Sequence, residues 1–226
     1  MADRATVAFD MIGTTFSLET LRLRLASVGL PESTLETLFA QSLRDYFALS
    51  HAGGYAPLKE VLAGGVRRLL EVHELGASDV AVNEVVAGLG EMDLVPGAER
   101  AYRALTEAGH SIVSLTNGSE EFTRGLLERS GLDRYVSSVI SCDTIEVSKP
   151  HARIYEHART QVSGLGWLVA SHAWDCMGAK RAGLKTAWIS SSERYWPAYF
   201  DHPDISEVSL GDAAAAIVDS ERQSEP

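Results

Sequence analysis

Four short stretches carry residue types that could do chemistry together. They are Phe9-Asp10-Met11-Ile12-Gly13-Thr14-Thr15, Leu115-Thr116-Asn117-Gly118-Ser119, Ser148-Lys149-Pro150 and Ser171-His172-Ala173-Trp174-Asp175. Singly each is weak. An Asp after an apolar run is more often a helix cap or turn residue than a nucleophile, and Thr-Asn-Gly alone reads as a turn. Their shared position, each just past an apolar strand-like segment, is the informative feature. A carboxylate at Asp10 can attack an electrophile and form a covalent ester. Lys149 would hold it ionised by ion pairing. Gly13 lets the backbone turn sharply, and the Thr14 hydroxyl can orient Asp10. Thr116 and Asn117 can donate hydrogen bonds to a substrate carboxylate or to Asp10. Asp175 can pair with Lys149 and help position a hydrolytic water.

The elements that must position these groups follow from periodicity. Residues 5–9 are a short apolar run ending abruptly at Asp10, the pattern of a buried parallel strand whose carboxyl end meets a loop. From about Leu18 to Met92 the period is helical. Leu18, Leu21, Leu23 and Leu25 begin one helix, and Leu35, Leu38, Phe39, Leu43, Tyr46 and Phe47 form another. Val61, Val66, Leu69 and Leu70, then Val85, Val86 and Leu89, supply two more. After Pro96-Gly97, strands at 111–115, 137–140, 167–170 and 186–189 alternate with helices through Leu105, over 120–130, near Ile154 and from Asp175.

This alternation predicts an α/β fold, a doubly wound parallel sheet with a site along its carboxyl edge. One strand precedes the helical block and the rest follow it. The block therefore reads as an insertion: an α/β core domain of residues 1–15 and 94–226, with a helical cap domain at 16–93. The polar tail after Asp219 is expected to fray, and the Ala213 to Ala216 run to be helical.

Charge and composition narrow the function. Lys and Arg number 20 against 31 Asp and Glu, a formal charge of -11, so nucleic-acid binding is not expected. An anionic substrate would need local capture, because the overall field repels it. Two cysteines, Cys142 and Cys176, make no disulfide scaffold, and no Cys/His set has zinc-ligand spacing. No apolar run reaches the roughly 18 residues of a membrane span and no signal peptide is recognisable, which predicts a soluble, cytoplasmic protein.

With these residues in view, the chain resembles the haloacid dehalogenase superfamily and, within it, the (S)-2-haloacid dehalogenase branch. Those dehalogenases carry FDxYGTLFD, SNGS, KPxxxxY and SSNAWDxxGA; this chain has FDMIGTTFS, TNGS, KPHARIY and ASHAWDCMGA. The resemblance implies a Rossmann-like core with an inserted cap. It also implies hydrolysis of a small 2-substituted carboxylate through an aspartyl ester, with no metal or other cofactor. Carried over position by position, Asp10 is the nucleophile and Thr14 its partner. Lys149 and Tyr155 steady the site, and Ser171 and Asp175 handle water. Thr116, Asn117 and Trp174 contact substrate; the loop amides near Met11 and Ile12, and Gln41 and Arg44 on the cap side, are further substrate-binding candidates of this chain. Members of the branch are commonly homodimers, which the apolar cap helices allow.

The departures from the pattern matter. Magnesium-dependent phosphatases of the superfamily need an acid two residues after the nucleophile, and here Ile12 cannot donate a proton. They also need two acids four apart in the last motif, where this chain has Ser171 and Asp175, so a phosphatase is not expected. Within the dehalogenase pattern, Ala40 replaces the arginine that receives the halide, and Arg44 lies one helical turn further on. Ile12 also replaces an aromatic, and His172 an asparagine. His172 could act as general acid for a nitrogen or oxygen leaving group, as in opening a strained ring. That reaction stands as the alternative to dehalogenation, and an inactive binding module is a further one.

Overall fold

A computed structural model describes residues 4–223. Thr6–Phe9 form β1, whose four residues are all buried, as a strand covered on both faces requires. It pairs with β2 (Ile112–Thr116) on one side, and β3 (Val136–Ser141) lies beyond β2. On the other side come β4 (Leu165–Ala170), β5 (Lys185–Ile189) and β6 (Ile205–Glu207). All pairings are parallel, in the order β3-β2-β1-β4-β5-β6. The chain winds outward from β1, returns beside it and winds outward the other way. The carboxyl end of β1 therefore lies where strand order reverses, the place at which a doubly wound sheet opens a crevice.

Five helices stand between β1 and β2, and the first four make up the helical block: α1 (Glu19–Ser27), α2 (Thr34–His51), α3 (Leu58–Val72) and α4 (Asp79–Ala87). Leu21, Leu25, Leu38, Leu62, Val66 and Leu70 on them belong to one apolar cluster with Val7 and Phe9 of the sheet. The segments entering and leaving this block run side by side. Ser17 N–H donates to Asp93 O at 2.8 Å, and Val95 N–H donates to Thr15 O at 3.0 Å.

The remaining helices are α5 (Ala98–Glu107), α6 (Glu120–Ser130), α7 (Ala152–Gln161), α8 (Ala173–Arg181) and α9 (Leu210–Gln223). The period of two along β1 sorts them. Val7 and Phe9 share a cluster with Leu105, Leu127 and Ile217 of α5, α6 and α9, whereas Ala8 shares one with Ile154 and Ala179 of α7 and α8.

Several details differ from the sequence reading. β6 was not expected; it has three residues, too few for a period to register. The fraying expected after Asp219 is not seen over 220–223, where α9 continues to Gln223, and residues 224–226 lie outside the described residues. The last helix-strand motif also starts earlier, α8 beginning at Ala173 rather than Asp175. Leu23 is 71% exposed and not on the inner face of α1, as its spacing from Leu21 and Leu25 dictates. No helix among the described residues is long and apolar enough to cross a membrane.

Candidate active site

Asp10 emerges from β1 into the crevice with its carboxylate held at both oxygens. Thr14 Oγ1 donates to Oδ2 at 2.6 Å, and Lys149 Nζ donates to Oδ1 at 2.7 Å. The Thr14 hydroxyl is aligned in turn by the Ser171 N–H, which donates to it at 2.8 Å. Lys149 is fully buried and also donates to Asp175 Oδ2 at 2.6 Å and to Leu115 O at 2.9 Å. All three ammonium protons thus have acceptors. Burial alone would lower its pKa, but the charges of Asp10 and Asp175 outweigh that and raise it above the ordinary lysine value, so the ammonium stays charged. Tyr155 O–H donates to Asp175 Oδ1 at 2.5 Å, and burial raises its own pKa well above the ordinary value. Gly178, one turn along α8 from Trp174, lets that helix approach: a Cβ there would lie 2.7 Å from Pro150 Cβ and 2.8 Å from Tyr155 Oη.

The second motif is less free than its residue types suggest. Thr116 Oγ1 accepts from Gly118 N–H at 2.9 Å, so this hydroxyl closes its own turn and stands apart from Asp10's hydrogen bonds. Asn117 Oδ1 accepts from Lys149 N–H at 3.0 Å and from Cys142 Sγ at 3.1 Å. With its oxygen so engaged, the amide can offer a ligand only its NH2 group.

His172 closes the other side. Its Nε2 donates to Ile12 O at 3.1 Å and lies 3.8 Å from Asp10 Oδ2. The ring stacks on Trp174 at 5.2 Å between centroids, and Trp174 meets Phe47 of α2 edge-on at 5.0 Å. Gly13 makes room for it: φ is +83°, and a Cβ would sit 2.8 Å from His172 Nε2. Burial acts against the charged imidazole, but Glu193, Asp10 and the Ile12 carbonyl prevail and raise its pKa above 6.5.

A small cavity of about 10 Å³ is lined by Asp10, Ile12, Asn117, His172 and Trp174 from the strand edge and by Phe39, Leu43 and Leu58 from the helical block. His172, Trp174, Phe39 and Leu43 also line a wider groove of about 920 Å³. Met11 is buried with its carbonyl accepting from the Thr14, Thr15 and Phe16 N–H groups. Two residues named on the cap side are not brought to Asp10. Arg44 is 62% exposed, pairs with Asp45 at 2.7 Å and borders only the wider groove. Gln41 Oε1 accepts from Arg68 of α3 at 3.4 Å.

The donor set does not suit a divalent cation. Asp10 and Asp175 both spend an oxygen on Lys149, Ile12 O accepts from His172, and Ser171 supplies no carboxylate. Among the described residues no group of three His, Cys, Asp or Glu could hold a metal ion. What the arrangement can do is present one oriented carboxylate to a small electrophile in a largely apolar enclosure. Sequence reasoning missed Glu193, Leu58 and the cross-block contacts of Tyr55, whose hydroxyl donates to Asp143 Oδ1 and meets Tyr46 Oη at 3.2 Å. They lie far from the four motifs in sequence, and no local spacing marks them.

A parallel doubly wound sheet with a buried Asp-Lys-Asp cluster at its reversal point defines a hydrolase-type α/β protein built for carboxylate chemistry. The family model for haloacid dehalogenase-like hydrolases matches residues 5–183, and the chain belongs to that family. It is 28% identical over 190 residues to (S)-2-haloacid dehalogenase 4A of Burkholderia cepacia, covering 80% of this chain and 81% of the relative. It is likewise 28% identical over 187 residues to (S)-2-haloacid dehalogenase 1 of Pseudomonas sp. strain CBS-3, covering 80% and 82%. In fold it is similar to the L-2-haloacid dehalogenase of Xanthobacter autotrophicus solved with chloropropionic acid covalently bound. That likeness has a TM-score of 0.86 at 20% identity, over 95% of this chain and 98% of the other.

Proposed function

We propose that the protein hydrolyses a small (S)-2-haloacid to the 2-hydroxy acid, with Asp10 as the nucleophile. The observation that carries this reading is the Asp10 carboxylate, held by Thr14 and Lys149 at the wall of a small cavity whose other lining is mostly apolar. The names of the relatives point to the same substrate class. An Asp10 oxygen attacks C2, the C–O bond forms as the carbon–halogen bond breaks, and the halide leaves with the electron pair. Water then adds to the ester carbonyl, giving up its proton, and the product departs with the oxygen that Asp10 supplied. Lys149 and Thr14 orient the Asp10 carboxylate for attack, and Asp175, aligned by Tyr155, assists the water. Asn117, Trp174 and Ile12 line the substrate pocket, with the buried Thr116 and Met11 supporting its wall. In this reading residues 16–93 act as a cap domain over a core of 1–15 and 94–226.

The nitrogen or oxygen leaving group is the weaker alternative on geometry. An in-line displacement expels the leaving atom away from the attacking carboxylate, whereas His172 Nε2 lies beside Asp10 and donates to Ile12 O. We propose also that the protein is a cytoplasmic homodimer, Leu23, Val72 and Val80 being exposed on the helical block; light scattering and cell fractionation test this.

The chemistry is tested by a single turnover of (S)-2-chloropropionate in oxygen-18 water. The expected outcome is chloride release, unlabelled (R)-2-hydroxy acid and label in the Asp10 peptide, with Asp10→Ala inert. Product formed without label in that peptide overturns the ester route. No chloride release overturns the haloacid reading.

A further inference from the structure

We propose that Glu193 is a positioning residue that keeps the His172 imidazole doubly protonated, making it the cation that faces the substrate carboxylate in the Asp10 cavity. The inference rests on the small-carboxylate reading above and adds a residue to it. A carbonyl oxygen can only accept, so the contact with Ile12 O places a proton on Nε2. On the opposite edge of the ring, Nδ1 lies 3.6 Å from Glu193 Oε1, a carboxylate that also can only accept. A ring with acceptors at both nitrogens is stabilised as imidazolium.

Glu193 is built to be there. It lies in the loop after β5, where Arg194 N–H donates to Ser190 O at 2.8 Å and Arg194 itself takes the left-handed φ of +56°. Its second oxygen, Oε2, accepts from Ala173 N–H at 2.9 Å, at the first turn of α8, whose N-cap His172 makes no side-chain cap of its own. One carboxylate therefore both caps the helix and faces the ring.

The cavity needs such a charge. Of the eight residues lining it, His172 alone is basic. Lys149 is enclosed by Asp10, Asp175 and Leu115 O, and two carboxylates against one ammonium leave that cluster net negative. An anionic substrate entering beside it would be repelled without a further positive charge. The remaining surroundings of the ring are accounted for. Phe39 from α2 and Trp174 are uncharged. In the wider groove Arg22 pairs with Glu19 and Glu36, and Arg44 pairs with Asp45. The charged groups that act on His172 are thus Asp10, with Lys149 and Asp175 behind it, and Glu193.

The test is an NMR pH titration of the His172 ring in the intact protein, assigned by the resonance lost in His172→Asn, for wild type, Glu193→Gln and Glu193→Asp. Glu193→Gln keeps an oxygen for Ala173 N–H but removes the charge. The His172 midpoint is expected to fall by about half a unit or more in Glu193→Gln and to be largely restored in Glu193→Asp. With (S)-2-chloropropionate, the alkaline limb of kcat/KM should move down with it, and KM near neutrality should rise roughly three- to tenfold with kcat changing less. A wild-type midpoint at or below the ordinary histidine value, or one unmoved by Glu193→Gln, overturns the proposal. A moved midpoint with unchanged KM overturns the substrate role. If the compound is not turned over at all, the haloacid reading fails. The titration still decides the pairing, and binding of (S)-lactate, weakened in Glu193→Gln or not, decides its use.

Discussion

The side chain on which the site turns is Lys149. Its ammonium is shared between Asp10 and Asp175, with no solvent exposure, so the three charges stand or fall together. Replacing a buried ion pair by apolar groups throughout can be neutral, but removing one member leaves the others buried with too little counter-charge. Lys149→Met should therefore cost about 3–5 kcal/mol of unfolding free energy in urea, in addition to abolishing turnover. The double variant Lys149→Met/Asp175→Asn should recover part of that loss, because it leaves one carboxylate rather than two. A Lys149→Met loss under about 1 kcal/mol would show that the cluster does not behave as a buried ionic unit.

At the scale of elements, precision comes from how closely α8 approaches the loop carrying Lys149. Gly178 is the contact point, and a methyl group there meets Pro150 Cβ, Pro150 O and Tyr155 Oη, all within 2.9 Å. Two of those neighbours are backbone or ring atoms that cannot swing aside, so the helix itself has to move. Gly178→Ala is expected to destabilise by about 1–3 kcal/mol through overpacking, despite the better helix propensity of alanine. Because Asp175 is on the same helix and Tyr155 opposite it, activity should fall more than stability alone explains. Thermal melts compared with kcat measured well below the melting temperature separate the two effects, and an unchanged kcat would refute the coupling.

For the whole molecule, the two thiols report on cooperativity. Cys142 and Cys176 are both buried and free. Burial, the largest influence, pushes Cys142 up to about 12, and it raises Cys176 well above the ordinary value. Neither has the depressed pKa of a reactive cysteine. Cys142 touches the Asn117 amide, and Cys176 packs in the apolar cluster between the sheet and α7 and α8. In native buffer both should react with a disulfide reagent only as fast as the protein opens, and both should become available across the same urea range as the loss of circular dichroism. A thiol that reacts within seconds in native buffer would expose a local opening that the packing does not predict.

The strand-helix alternation, the insertion after the first strand and the cluster of Asp10, Thr14, Lys149 and Asp175 were legible in the order of residues, and Tyr155 only through the family resemblance. Period two and period 3.6 are local properties, and parallel crossovers of one hand leave few ways to assemble them. A carboxylate at the end of a central strand must then meet whatever the neighbouring strands deliver to the same edge. Arg44 shows where this reasoning stops. One turn of helix separates it from Ala40, yet only the tertiary packing of α2 decides that both line the wider groove rather than the Asp10 cavity and that Arg44 pairs with Asp45. Thr116 is similar: its type permits a substrate contact, and only the folded turn shows that its hydroxyl accepts from Gly118 N–H. Glu193 is the converse, a residue without motif or period that reaches His172 because the loop after β5 folds back over the start of α8. Hydrogen-bond partners distant in sequence are chosen by three-dimensional proximity, which no spacing along the chain encodes.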